Sequence, residues 1–107
     1  MAVTIVQYRT RPERADENQQ LVEAVFRELR ATAPRGLRYA SYRLDDGVSF
    51  VHVAAVDDDA GANPLTGTPA FGEFLRELGD RVEGGPHPSG ATLVGEYGFS
   101  AEGGTRG

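Results

Sequence analysis

The chain of 107 residues contains no cysteine and no tryptophan. The absence of cysteine excludes a disulfide framework, a thiol nucleophile and a thiolate metal site. It is compatible with a reducing compartment, and we expect a cytoplasmic protein. The two histidines stand apart in the sequence and form no metal-ligand pattern, so we expect no bound metal.

Long apolar runs are also missing. No stretch approaches the roughly 20 apolar residues that cross a bilayer, and residues 1–7 lack the basic and apolar regions of a signal peptide. Basic residues are outnumbered, with 11 Lys and Arg against 16 Asp and Glu and a net charge of −5. We therefore expect neither nucleic acid nor an anionic membrane as a partner.

The residue pattern predicts a single domain over 1–99 and a flexible tail over 100–107. Within the domain, runs of β-branched and aromatic residues predict strands, and apolar residues at helical spacing predict helices. The predicted strands are 3–10, 37–44, 48–56 and 91–99, and the predicted helices are 16–33 and 69–83, with a loop over 84–90.

Local signals predict where the helices begin. Asp16, with Gln19 three residues later, has the spacing of a capping box, in which two side chains satisfy free N–H groups. Thr68 followed by Pro69 predicts the start of the second helix, because proline is favoured at the first helical position.

The two central strands are predicted to form a hairpin. The dipeptide Asp46-Gly47 is the signal of a two-residue turn with positive φ at both positions. Such a turn places Leu44 opposite Ser49 and Ser41 opposite His52. One face of the hairpin then carries Tyr39, Ser41, Arg43, Phe50, His52 and Ala54, and the other carries Ala40, Tyr42, Leu44, Val51, Val53 and Ala55.

The element order β-α-β-β-α-β is that of an α+β, ferredoxin-like fold with a four-stranded antiparallel sheet and two helices on one face. The strands nevertheless carry apolar residues toward both faces of the sheet. The face without helices therefore needs another layer, and a second copy of the chain is its simplest source. We expect a homodimer.

The layout resembles the dimeric α+β-barrel superfamily and, within it, the antibiotic-biosynthesis-monooxygenase-like proteins. The segments that carry the resemblance are the first strand, 3–9, the hairpin strand, 50–54, and the loop and helix start at 63–65 and 68–71. The resemblance implies a dimeric α+β barrel with a ligand pocket between sheet and helices. It also implies a cofactor-free oxygenase, a haem degrader, an isomerase or one of the many small members with no known activity.

The sequence differs from the haem-degrading relatives, and these differences argue against one of the four implied possibilities. Those relatives use an Asn on the first strand, a Trp, and a His near the second helix. Here the first strand carries Gln7, the chain has no Trp, and Ala70 follows Pro69. We therefore expect no haem and no other cofactor. The Trp and His of the cofactor-free oxygenases have no match in this chain either. The features that this chain shares with those oxygenases are Asn63, before the second helix, and the tyrosines on the strands.

Two residues are candidates for catalysis. A neutral His52 in a pocket could take a proton from a phenolic substrate; alternatively it is a structural histidine bonded to Ser41 or to a tyrosine. The Asn63 amide could hold a substrate oxygen; alternatively it fixes its loop through an Asx-turn.

Four aromatic residues are candidates for lining the pocket: Tyr8, Tyr42, Phe71 and Phe74. Alternatively, they are ordinary core. Our first hypothesis is a homodimer that binds a small apolar or aromatic metabolite, as a cofactor-independent monooxygenase or isomerase. The second is a non-catalytic dimerisation or ligand-sensing module of the same fold, because fold does not decide function.

Overall fold

A computed structural model describes residues 1–58 and 63–99. The elements are β1 (Ala2–Thr10), α1 (Ala15–Thr32), β2 (Leu37–Arg43), β3 (Ser49–Val56), α2 (Pro69–Leu75), α3 (Leu78–Arg81) and β4 (Val82–Ala91), with a single 3-10 turn at Pro12–Arg14. The sheet is antiparallel, with strand order β2-β3-β1-β4. The predicted ferredoxin-like α+β fold is confirmed. The predicted tail, 100–107, lies outside the described residues.

The hairpin register is confirmed, but its turn is not the predicted one. Ser41 pairs with His52, and the Leu44 amide donates to Ser49 at 2.9 Å. The turn closes one residue earlier, through a bond from the Gly47 amide to the Leu44 carbonyl, and Gly47 alone of the dipeptide has a positive φ, of 80°. The Asp46 carboxylate instead accepts the Ser49 hydroxyl and the Val48 and Ser49 amides, and these bonds lower its pKa to about 2.

The predicted start of the second helix is confirmed, since α2 begins at Pro69 with Thr68 as its N-cap residue, but neither predicted side-chain cap forms. Helix α1 begins at Ala15, and the Asp16 carboxylate pairs with Arg43 at 3.0 Å instead of capping. The Thr68 hydroxyl donates back to the Pro64 carbonyl. The first turn of α2 is capped from another helix, since a Glu28 oxygen accepts the Ala70 amide at 2.9 Å. At α2 a side chain distant in sequence thus takes over the predicted role of Thr68, whereas α1 has no side-chain cap among the described residues.

The predicted second helix is divided in two. It breaks after Leu75, where Glu77 adopts a left-handed conformation with φ of 63°, and resumes as α3. The apolar residues Phe74, Leu78 and Val82, which recur at helical spacing in 69–83, are buried, whereas Leu75 is 48% exposed. The break turns the chain so that Val82 starts a strand instead of a further helical turn.

Strand β4 is formed by a segment that the sequence pattern assigned to a helix end and a loop. It runs from Val82 to Ala91, and all of the predicted fourth strand, 91–99, except its first residue has no regular structure. Gln7 pairs with His87 and Arg9 with Glu83, so a single β1 residue stands opposite residues 84–86. Gly84 and Gly85, with φ of 78° and 84°, absorb this bulge.

The two prolines of β4, Pro86 and Pro88, are compatible with its position. The strand lies at the edge of the sheet, where a missing N–H removes no ladder hydrogen bond if that nitrogen faces solvent. His87 therefore belongs to an edge strand and not to a loop.

The helices cover one face of the sheet, which carries Tyr8, Phe50 and His52 as buried residues. The opposite face leaves Ile5 and Tyr42 36% and 46% exposed. The predicted division of the hairpin into two faces is therefore confirmed, and the structure identifies which face meets the helices. None of the described helices is long and apolar enough to pass through a membrane.

Candidate ligand cavity and buried polar chain

A cavity of about 500 Å³ lies between the helix-covered sheet face and the segment 63–78. Its walls are mainly apolar and aromatic, and its size is that of typical small-molecule pockets. Five of the six residues predicted from the sequence line it: Tyr8, His52, Asn63, Phe71 and Phe74.

Tyr42, the sixth candidate, does not line this cavity. It lies on the other sheet face, because side chains alternate along β2 and its neighbours Tyr39 and Ser41 share the opposite parity. The tyrosine of β2 that reaches the cavity is Tyr39. Tyr97, also predicted on a strand, lies beyond β4 and is 97% exposed.

Asn63 lies at the exposed end of the cavity. Its side-chain oxygen accepts the Leu65 amide at 2.9 Å, the geometry of an Asx-turn. The carbonyl of Asn63 also accepts the Thr66 hydroxyl. The side-chain amide nitrogen is the group of Asn63 that this turn leaves for a ligand.

His52 is held between two tyrosines. Its Nε2 lies 2.8 Å from the Tyr8 hydroxyl and its Nδ1 lies 2.5 Å from the Tyr39 hydroxyl. The Ser41 hydroxyl is farther from Nε2, at 3.4 Å. Burial lowers the pKa of His52 to about 4, so the imidazole is neutral at pH 7.

A second pair of polar residues continues this arrangement into the core. The Asn18 side-chain amide donates to the Tyr8 hydroxyl at 2.8 Å, and Arg81 Nε donates to the Asn18 oxygen at 3.1 Å. The other guanidinium nitrogens donate to the carbonyls of Phe74 and Arg76. Asn18 and Arg81 are 0% and 1% exposed. We call the series Arg81, Asn18, Tyr8, His52 and Tyr39 the polar chain.

The charge of Arg81 has no carboxylate partner within ion-pair distance among residues 1–58 and 63–99. Burial lowers its pKa, and its guanidinium lies 5.5 Å from the Phe74 ring centre, a cation–π distance. Burial raises the pKa of Tyr8 to about 12, against opposing effects of the Asn18 hydrogen bond and the Arg81 charge. It also raises the pKa of Tyr39, so both phenols are neutral near pH 7.

Asn18 and Arg81 were not identified from the sequence as site residues. A signal for both exists: each lies on the apolar stripe of its predicted helix. Asn18 precedes Leu21 and Val22 by three and four residues, and Arg81 follows Leu78 by three. In the part of the chain that the structure describes, no three or more His, Asp or Glu side chains are grouped to hold a metal ion.

Fold and cavity together define a class: ferredoxin-like α+β domains with an aromatic-lined cavity between sheet and helices. No family model and no curated protein sequence matches the chain. Solved structures match it closely in fold. Rv0793 from Mycobacterium tuberculosis has a TM-score of 0.70 at 18% identity, over 89% of this chain and 96% of that chain.

Two further structures match similarly. A candidate antibiotic biosynthesis monooxygenase from Nitrosomonas europaea has a TM-score of 0.73 at 16% identity, covering 88% of this chain and 99% of its own. A mutant of SnoaB, a cofactor-independent oxygenase from Streptomyces nogalater, has 0.65 at 15%, covering 91% and 96%. The chain therefore has the fold of the antibiotic-biosynthesis-monooxygenase-like proteins. At sequence identities of 15–18% this similarity is evidence about the fold alone.

Proposed function

We propose that the chain is a cytoplasmic homodimer that binds a small aromatic metabolite in the cavity and acts on it as a cofactor-independent monooxygenase or isomerase. The observation that carries the proposal is the cavity itself, about 500 Å³ in volume and bounded by Tyr8, Tyr39, Phe71 and Phe74 beside a neutral, buried His52. The similarity in fold to a cofactor-independent oxygenase supports it.

The chemistry requires little from the protein. A CH₂ group beside an aromatic ketone loses a proton, and the resulting carbanion passes an electron to O₂. The CH₂ becomes C=O, with one oxygen atom entering the product and the other leaving as water. The protein supplies a proton acceptor, a dry pocket and stabilisation of the negative charge. His52 is our candidate acceptor, and the Asn63 amide our candidate contact to a substrate oxygen.

Both ring nitrogens of His52 lie within hydrogen-bond distance of tyrosine hydroxyls. A proton from the ligand therefore reaches the imidazole by way of Tyr39 or Tyr8. The same engaged geometry supports the second candidate function, a ligand-sensing or dimerisation module without turnover, in which His52 serves to order the cavity wall.

We expect anthrones, naphthols or quinols to raise the melting temperature, and one of them to give an oxygen-dependent product. His52→Ala should reduce that product by about 100-fold or more, since general-base catalysis contributes on this scale. Thermal shift and mass spectrometry of the reaction mixture measure the two effects.

His87→Ala is the matched control, because His87 lies on the edge strand outside the cavity, and it should keep full activity. Stabilisation without product would support the ligand-sensing module. Product formation unaffected by His52→Ala, with the variant folded by circular dichroism, would contradict His52 as the acceptor.

The homodimer is supported by the sheet face that lacks helices. A second cavity, of about 670 Å³, lies on this face between the strands and residues 91–99. Nearby apolar side chains are open to solvent in one chain, among them Leu93, Val94 and Phe99 at 58%, 99% and 76% exposure. Apolar patches of this kind on a small domain are typical of subunit interfaces.

Sedimentation should give about twice the chain mass of 11.5 kDa. Val53→Asp, on the face without helices, should shift the protein to monomer, because an unpaired carboxylate is costly to bury in an interface. Leu75→Asp places the same charge on the helix side and should leave the dimer intact. A monomeric wild type would contradict the proposal.

A further inference from the structure

The hydrogen bonds of the polar chain have a direction that can be worked out from donors and acceptors alone. Arg81 has five N–H donors and no acceptor. Its Nε bond to Asn18 therefore requires the Asn18 oxygen on that side, which leaves the Asn18 NH₂ group to face Tyr8. The orientation of the Asn18 amide is thus determined by its partner.

The next link follows from the same argument. The Tyr8 oxygen accepts from Asn18, and its own hydrogen needs an acceptor. Among the described residues, His52 Nε2 is the acceptor within reach of the Tyr8 hydroxyl. If Nε2 carried the hydrogen instead, the Tyr8 O–H would be a buried donor without a partner, and this is unfavourable. Nε2 is therefore the unprotonated nitrogen of His52.

The tautomer of His52 sets the last link. A neutral imidazole with a bare Nε2 carries its hydrogen on Nδ1, which donates to the Tyr39 oxygen at 2.5 Å. The Ser41 hydroxyl, at 3.4 Å from Nε2, can add a second donor to the same nitrogen and does not change this direction. Every bond then runs from Arg81 toward Tyr39.

Tyr39 ends the chain with one hydrogen to spare. In the parts of the chain that the structure describes, its hydroxyl has His52 as its hydrogen-bond partner, and the bond uses the Tyr39 oxygen as acceptor. The ring is fixed by stacking on Phe26 at 5.0 Å and by edge contact with Phe71. Both Tyr39 and His52 line the cavity, so the hydroxyl lies where their surfaces meet.

We propose that the Tyr39 hydroxyl is the ligand-orienting donor of the cavity, and that it selects ligands carrying an aromatic ketone or quinone oxygen over the corresponding hydrocarbons. The buried guanidinium of Arg81 polarises the whole series of hydrogen bonds and so strengthens this donor. A carbonyl oxygen that gains negative charge on loss of a neighbouring proton is stabilised further.

The inference rests on the proposed function for the class of ligand, aromatic compounds, and for nothing else. The hydrogen-bond directions given above are those of the protein with neutral His52, before any proton transfer. If His52 accepts a proton during turnover, that proton passes through the cavity-lining Tyr8, whose hydroxyl takes it up and gives its own hydrogen to the bare Nε2, while Nδ1 continues to donate to Tyr39.

The tautomer is tested without any ligand. Nitrogen-15 NMR of the histidine rings at pH 7 should show His52 protonated on Nδ1 and bare on Nε2, with His87→Gln used to assign the two histidines. Tyr8→Phe removes the donor to Nε2, and the Nδ1-protonated form should lose its preference. A wild-type His52 protonated on Nε2 would overturn the inference.

The donor is tested with 9-fluorenone and fluorene, which differ in one carbonyl oxygen. Wild type should bind fluorenone about 2- to 10-fold tighter than fluorene, the effect of one hydrogen bond. Tyr39→Phe should remove this ratio while keeping its affinity for fluorene. Tyr42→Phe, the same change on the other sheet face, should keep the ratio.

The outcomes separate the two proposals. A ratio unchanged in Tyr39→Phe would overturn the donor role even if both compounds bind. If neither compound binds, the proposed aromatic ligand class fails together with the ligand part of this inference. A Tyr39→Phe variant that loses affinity for both compounds would make the residue a packing element and also overturn its role as a donor.

Discussion

Replacing Arg81 with methionine should lower the free energy of unfolding by about 3–5 kcal/mol, the scale for removing one partner from a buried charged network. The guanidinium bonds the Asn18 oxygen and the carbonyls of Phe74 and Arg76. Methionine fills much of the volume but leaves these acceptors without donors, and each buried unpaired group costs about 1–3 kcal/mol.

Urea unfolding at a fixed protein concentration measures the change, provided that the slope with denaturant stays constant. Arg76→Met is the control, since the Arg76 side chain is 70% exposed and pairs with Glu73 on the surface; we expect less than about 1 kcal/mol. For Arg81→Lys we expect a loss of stability between those of Arg81→Met and Arg76→Met. The lysine ammonium keeps the charge but does not reach three acceptors with fork geometry. A loss below about 1 kcal/mol for Arg81→Met would show that water replaces the guanidinium.

The same variant affects the cavity. Without Arg81 the Asn18 amide can rotate, and the direction of the hydrogen bonds through Tyr8 and His52 is no longer determined. We expect the preference of the cavity for a carbonyl oxygen to weaken in Arg81→Met even though Arg81 does not line it.

The parts of the fold that could be predicted from sequence are those with strong local patterns. The hairpin is the clearest case: alternation between buried and open faces gives the pairing of Ser41 with His52, although the turn closes through Leu44 and Gly47. A one-residue slip would have exposed Phe50 and His52 and buried Tyr42, so the faces determine the register more strongly than the turn does.

Strand β4 could not be predicted because its pairing is not local. Residues 84–88, Gly-Gly-Pro-His-Pro, have the composition of a loop, whereas 91–99 contains spaced apolar residues. Only pairing with β1 makes the first segment a strand, at an edge that tolerates proline and with a bulge at the glycines. Apolar residues such as Leu93 and Phe99 instead lie at the sheet face without helices.

The site was partly predictable for a similar reason. Tyr8, His52, Phe71 and Phe74 carry rings or an imidazole that sequence reasoning examines first. Arg81 is a charged residue near a predicted helix end and is assumed exposed by default, because charged residues are rarely buried. Arg81 nevertheless follows the apolar Leu78 by three residues, and Asn18 precedes Val22 by four. A polar residue at helical spacing from apolar ones is the pattern that indicates burial here.

Acidification should destabilise the protein through His52. Its pKa is about 4 in the folded chain against an ordinary value of 6.5, so the unfolded chain binds more protons between these values. Its contribution to stability is fully present above pH 6.5 and is lost as the pH falls toward 4. At about 1.4 kcal/mol for each pKa unit, we expect a loss of about 3 kcal/mol by pH 4.

The groups that face His52 explain why charging it is unfavourable. An imidazolium donates from both nitrogens, so the Tyr8 O–H, whose oxygen accepts from Asn18, would lose Nε2 as its acceptor. The Phe74 ring lies against the imidazole, with ring centres 5.3 Å apart. Neither a phenol nor an aromatic edge compensates a buried positive charge, so desolvation by burial lowers the pKa of His52.

Urea unfolding at intervals from pH 7.5 to 4 should therefore show a steep fall for wild type and a shallower one for His52→Gln, whose amide does not titrate. His87→Gln controls for the loss of a histidine outside the cavity. The difference between the two variants assigns the pH-dependent loss to His52. Equal slopes in wild type and His52→Gln would mean that His52 titrates alike in the folded and unfolded chain, and that water reaches the imidazole between its two tyrosines.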